Sequence, residues 1–228
     1  MQIKKETKRI NNNKIIILLP YWSSYGTKKN SFDKIKENIP KEFGYISYFF
    51  TKDIINSNPL LTKKYFNRFL SQVIKDINKV KTRKFYIYAQ SLGGLFAMII
   101  SDKCDIKKCI LINPGNNLAE SFWNGTATTE LKKEMENKGI TLKKLKKIWN
   151  TISPDFYFKN KSKNTEFYIK LSKIDKIIPY KNGKKLIKLL KQNKINFKLH
   201  QNFLSHSFSL IYESIFPKTT LNFIIKEK

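Results

Sequence analysis

The chain of 228 residues, 41% hydrophobic and 14% aromatic, can bury one large core or two small ones, and a single domain with an insertion is the simplest organisation. Its net charge of +28 rests on 45 basic residues, of which only Arg9, Arg68 and Arg83 are arginine, so the guanidinium forks that phosphate and base recognition favour are scarce. This argues against a specific nucleic-acid site and leaves a solvated lysine surface, with at most a weak association with anionic surfaces.

The two cysteines, Cys104 and Cys109 in "CDIKKC", lack metal-ligand spacing and histidine company, so no metal or other cofactor is expected. The apolar run at residues 15–19 is too short for a secretory signal. No run approaches the roughly 20 apolar residues of a membrane span, and a cytoplasmic protein is expected.

In chain order, "KIIILLP" (14–20) is a short β-branched apolar run ended by proline, which fits a buried strand. A second strand is expected at 43–50, "FGYISYFF". A helix is expected over 58–80, with Leu61, Tyr65, Phe69, Val73 and Ile77 as its apolar face. A third strand, "KFYIYA" (84–89), leads into "QSLGG" and an apolar helix. Strands at "KKCILIN" (107–113), "EFYIKLS" (166–172) and "INFKLH" (195–200) follow, with a helix at 181–193 before the last. The terminal stretch from Ser207 begins as a helix that Pro217 kinks or breaks. Strands alternating with helices predict a mainly parallel, doubly wound α/β sheet whose sites lie beyond the carboxyl ends of the strands. Residues 116–165 interrupt the alternation with two expected helices and no clear strand, and read as an inserted helical cap.

Ser91 sits where such a site belongs, between a strand and a helix. "AQSLG" is the GxSxG nucleophile elbow with Ala89 in the first place, and the small residues let strand and helix approach closely. The hydroxyl would project above the sheet, with the Leu92 N–H facing a developing oxyanion. The alternative is a serine that caps the helix.

With these residues the chain resembles the α/β-hydrolase superfamily over nearly its whole length. The resemblance implies an acid after a later strand and a histidine after the last one. "LSKIDKIIPY" is similar to the family's acid loop, with Asp175 before Ile177, Ile178 and Pro179. Of the two histidines, His200 ends a strand, whereas His206 follows that strand and opens the last helical region, where the family places its base. The implied roles are nucleophile for Ser91, general base and acid for His206, and orienting carboxylate for Asp175, with an acyl-enzyme intermediate.

One departure concerns the second oxyanion donor. Many relatives carry His-Gly after the first strand, but here Pro20 and Tyr21 occupy those places, so the donor is the N–H of Trp22 or Tyr21. Trp22 reads equally well as a pocket wall. The aromatic residues Tyr21, Phe122, Trp123 and Trp149 are candidate pocket walls, and the three in the insertion could instead form the insertion's own core. The leading expectation is a carboxylic-ester or thioester hydrolase acting on a small-molecule acyl substrate. Acyl transfer and peptide hydrolysis use the same triad, and a silent hydrolase fold that binds membrane or nucleic acid through its lysines is the remaining alternative.

Overall fold

The structure, a computed structural model, describes residues 1–27, 32–80, 83–158 and 165–226. Among these, seven strands form one sheet: β1 (Ile3–Lys8), β2 (Lys14–Leu19), β3 (Phe43–Phe50), β4 (Lys84–Gln90), β5 (Ile106–Ile112), β6 (Glu166–Ser172) and β7 (Phe197–Asn202). Their spatial order is β1-β3-β2-β4-β5-β6-β7, parallel throughout except for β1, which runs antiparallel along β3. β1, "IKKETK", has a polar sequence that carries no strand pattern, as a solvated edge permits. β3 is the opposite case, with all eight residues buried, because helices cover both of its faces. Side chains still alternate along the inner strands. Ile15, Ile17 and Leu19 enter one core, and Ile16 and Leu18 enter the other.

The helices are α1 (Asp33–Glu37), α2 (Pro59–Asn78), α3 (Leu92–Lys103), α4 (Leu118–Asn124), α5 (Thr129–Asn137), α6 (Leu142–Trp149), α7 (Tyr180–Gln192), α8 (His206–Ile215) and α9 (Pro217–Ile225). The larger core holds side chains of α2 and α3, and the smaller one those of α1 and α9. α2 starts where Asn58 accepts from the N–H groups of Leu60 and Leu61, with Pro59 in the first turn. Its buried face is Phe66, Phe69, Leu70, Val73 and Ile77, while Leu61 and Tyr65 lie only half-buried on the flank. A spacing of four at every step turns about 40° too far each time, so the expected stripe drifts off the core. Pro217 does break the terminal helix, and it opens α9, where its missing N–H is harmless.

Between β5 and β6 the chain forms three helices rather than two, α4, α5 and α6, with 3₁₀ turns at Thr126–Thr128, Asn150–Ile152 and Pro154–Phe156. Residues 159–164 of the expected insertion lie outside the described residues. α4 packs on α6, and α6 on α2. Glu120 of α4 accepts from Lys146 of α6 within the segment and from Lys185 of α7 outside it, each at 2.5 Å, so it ties the segment together and to the rest of the chain.

The sheet's order places the site. After β2 the chain turns one way to β3, then returns to lay β4 on the other side of β2. The loop after β2 and the turn after β4 therefore meet at the carboxyl edge, with Leu19 paired beside Ala89. Among the described residues no helix is long and apolar enough to cross a membrane.

Candidate active site

Ser91 joins β4 to α3 with φ 52 and ψ −115, a conformation that non-glycine residues avoid and that surrounding structure must impose. Its N–H donates to Ile112 O at 2.8 Å, and its carbonyl accepts from Gly94 N–H at 2.9 Å. Two glycines make the turn possible. A Cβ on Gly93 would lie 2.3 Å from Leu19 O, so the turn packs directly on the end of β2, and one on Gly94 would lie 2.8 Å from Pro114 Cβ. The Ser91 hydroxyl makes no capping bond to the first turn of α3, so the helix-cap alternative does not describe it. Oγ lies instead 2.9 Å from His206 Nε2.

His206 is the first residue of α8, which Ser205 caps by accepting from Phe208 N–H at 3.3 Å. Its Nδ1 lies 2.6 Å from Asp175 Oδ2. Asp175 follows β6, and its other oxygen, Oδ1, accepts from the N–H groups of Ile177 and Ile178 at 2.9 and 2.8 Å. With Nδ1 as the donor to this carboxylate, Nε2 would keep its lone pair towards the Ser91 hydroxyl. All three side chains are buried, and water competes little for these bonds. His200 is on β7 with an exposed side chain.

The Leu92 N–H is the first of α3, one of the amides that a helix leaves without an internal partner, at the positive end of the helix dipole. The loop bearing Tyr21 and Trp22 reaches the same edge through the Gly93 contact. The Trp22 indole donates to Lys52 O at 2.9 Å, which fixes the ring as a wall. It borders a cavity of about 60 Å³ at Ser91, together with Leu92, Leu95, Leu118, Phe122 and Ile178. Trp22, Ala127 and Ile177 also border a groove of about 520 Å³ beside His206, which Tyr21 lines. Of the candidate walls, Phe122 meets the cavity and Tyr21 the groove. Trp149 is a core side chain, fully buried, edge-on to Phe122 and bonded through its indole to Pro59 O at 2.8 Å. Trp123 is half-buried and turned to Lys132, whose Nζ is 5.3 Å from its ring centre. The face of a short helix that meets a cavity is set by tertiary packing, which a run of aromatic residues does not encode.

Two supports carry weak sequence signals. Asn113, at φ 48 after β5, accepts from Ser172 N–H at 2.9 Å and donates its own N–H to Lys170 O at 2.8 Å, tying β5 to the start of the Asp175 loop. An asparagine before Pro-Gly is its one trace in the sequence, since Asn tolerates positive φ. Gly125 lets the α4 end touch that loop: a Cβ there would lie 2.2 Å from Ile177 O, and Thr126 N–H donates to Lys176 O at 3.0 Å. Among the described residues no group of three or more His, Cys, Asp or Glu is placed to hold a metal ion.

Solved structures share this architecture. The acylaminoacyl peptidase of Pyrococcus horikoshii superposes with a TM-score of 0.68 at 13% identity, over 96% of this chain and 38% of that one. Esterase 2 of Thermogutta terrifontis, phosphoramylated by tabun, gives 0.65 at 11% identity, over 98% of this chain and 90% of that one. Esterase B of Lactobacillus rhamnosis gives 0.62 at 10% identity, over 97% and 84%. The chain thus spans under four-tenths of the peptidase and most of each esterase. No curated protein sequence matches it. The fold is that of the α/β-hydrolases, and with a family model matching residues 47–213, the chain belongs to the Uncharacterised protein family (UPF0227).

Proposed function

We propose that this protein is a serine hydrolase that cleaves carboxylic esters of short acyl groups. The observation that carries the reading is the unbroken hydrogen-bond chain from Ser91 Oγ through His206 to Asp175, on a serine held at positive φ beside a helix N-terminus. Ser91 Oγ attacks the carbonyl carbon as its proton passes to His206 Nε2, and the carbonyl oxygen takes the negative charge. The N–H groups of Leu92 and Trp22 are the donors for that oxyanion. Collapse breaks the ester C–O bond, the alcohol leaves with the proton from His206, and the acyl group stays on Ser91. Water, deprotonated by His206, then attacks the acyl carbon and releases the acid and the free serine.

The two spaces divide the substrate. His206 must protonate the leaving oxygen, so the alcohol portion belongs in the groove of about 520 Å³ that His206 borders, and the acyl portion in the cavity of about 60 Å³ at Ser91. The cavity's apolar walls select an uncharged acyl chain, and its volume admits few heavy atoms. Leu118, Phe122 and Ala127 roof it, which is the basis for reading residues 116–165 as a cap. The names of the structural neighbours, esterases and a peptidase, support a hydrolase without choosing the bond. Thioesters, amides and acyl transfer remain within the reach of the same three residues.

The test is hydrolysis of p-nitrophenyl esters of graded acyl length by the wild type and Trp22→Ala. The wild type is expected to prefer acetate or butyrate, and Trp22→Ala, which joins cavity to groove, to move the preference to longer chains by about tenfold in kcat/KM. Equal rates on all chain lengths in both proteins would contradict the assignment of the cavity to the acyl group.

A further inference from the structure

α8 is built the reverse of an ordinary surface helix. Its inward residues are His206, Ser209 and Glu213, and its outward ones are Phe208, Ile211, Tyr212 and Ile215, spaced i, i+3, i+4, i+7 as one stripe. Phe208 is 65% and Ile215 58% exposed, and the Tyr212 ring packs on Phe216, centres 5.1 Å apart, extending the stripe past the helix end. An apolar face of this kind on a soluble surface marks a place that meets something. It is also next to the site, for Ile211 and Ile215 border the groove that His206 opens onto.

Nothing among the described residues covers it. The segments outside the described residues, 28–31, 81–82, 159–164 and 227–228, contain no apolar side chain. The surroundings are cationic. The one acid on α8, Glu213, is buried against Lys170. Lys173 Nζ stands 4.6 Å from the centre of the exposed Phe203 ring, Lys176 precedes the groove-lining Ile177, Lys218 follows Phe216 by two residues, and Ile174, Lys176 and Lys218 are exposed. The acids that α1 brings towards α8 are already paired, Asp33 with Lys36 and Glu37 with Lys34. A second copy of a chain carrying +28 is repelled by the same field that attracts an anionic surface. Aromatic and aliphatic side chains framed by lysines match an interfacial helix, whose apolar side enters the acyl boundary while the ammonium groups meet lipid phosphates.

We propose that the α8 face, with Phe203 and Ile174, docks this protein on an anionic lipid surface and holds the groove mouth against it. That the groove then draws its ester from the bilayer rests on the hydrolase reading; the docking does not.

Co-sedimentation with vesicles of phosphatidylglycerol and of phosphatidylcholine tests this, using wild type, Ser91→Ala and the triple variant Phe208→Ser/Tyr212→Ser/Phe216→Ser. The three replaced rings are exposed and lie outside the groove lining, so fold and turnover of a water-soluble ester stay as in wild type. Wild type and Ser91→Ala are expected to bind phosphatidylglycerol at least about tenfold more tightly than phosphatidylcholine, and the triple variant to bind phosphatidylglycerol about tenfold less tightly. Equal binding by the triple variant would reduce the interaction to charge alone and overturn the proposal. So would absence of binding by wild type, or a wild-type dimer in light scattering that the triple variant converts to monomer. Loss of ester hydrolysis with vesicle binding intact would count against the hydrolase reading only.

Discussion

α3 follows Ser91 directly and α8 begins at His206, yet the two helices are anchored by opposite means. From Leu92 to Ser101 every residue of α3 is buried, and Phe96 lies between Phe66 and Phe69 with ring centres 4.6 and 4.5 Å away. α8 turns polar groups inward. Glu213 is buried against Lys170 of β6, and Thr220 of α9 bonds to both, at 2.7 Å from Lys170 and 2.6 Å from Glu213. Dispersion and burial hold α3 in a close-packed core. α8 is held by a few directional bonds, which orient it while leaving its apolar side chains free to face outward.

Replacements at the two anchors should separate these means, beginning with the largest effect. Phe96→Ala should destabilise the fold by about 3–5 kcal/mol, measured by urea denaturation, because it leaves a cavity in a packed core. Lys170→Met should cost a similar 3–5 kcal/mol for a different reason, a carboxylate left buried without its partner. The double replacement Lys170→Met/Glu213→Leu distinguishes them. It should recover most of the lost stability, whereas no second replacement at a charged position should restore Phe96→Ala. Ser205→Ala, which removes the α8 cap, should cost about 1 kcal/mol and lower kcat more than it raises KM, since it loosens the residue before His206.

The smallest effect tests the helical segment whose residues border the cavity. Burial alone would raise the Glu120 pKa, but its bonds to Lys146 and Lys185 outweigh that and hold it below the usual 4.5. A lowered carboxylate pKa stabilises the fold above the unfolded value and loses that contribution as pH falls through the folded one. Wild type should therefore lose stability faster than Glu120→Gln as pH drops below about 4.5. Parallel pH curves for the two proteins would show that the clamp contributes nothing.

The same contrast explains what the sequence makes legible. β3 is readable to the residue because a strand buried on both faces becomes a nearly continuous apolar run, and β6 because aromatic and aliphatic residues dominate its middle. That Ser91, Asp175 and His206 meet is legible because each follows a strand, and the parallel sheet gathers strand ends along one edge. β1 is hidden because a solvated edge strand needs no apolar pattern, and five-residue α1 is too short for a period to show. The orientation of α8 is hidden for a deeper reason. Its apolar spacing fits a helix facing the core, and partners remote in the sequence, Ser91 and Asp175 for His206 and the buried Lys170, forty-three residues away, for Glu213, make the polar side the inner one. Trp149 escapes in the same way, since its partner is Pro59 O.

Covalent labelling with a fluorophosphonate decides whether Ser91 is a nucleophile activated by His206. One label per chain is expected, located on Ser91, absent from Ser91→Ala and slowed about 10²-fold or more in His206→Ala. A folded wild-type protein that takes no label, or a label that persists in Ser91→Ala, would contradict it.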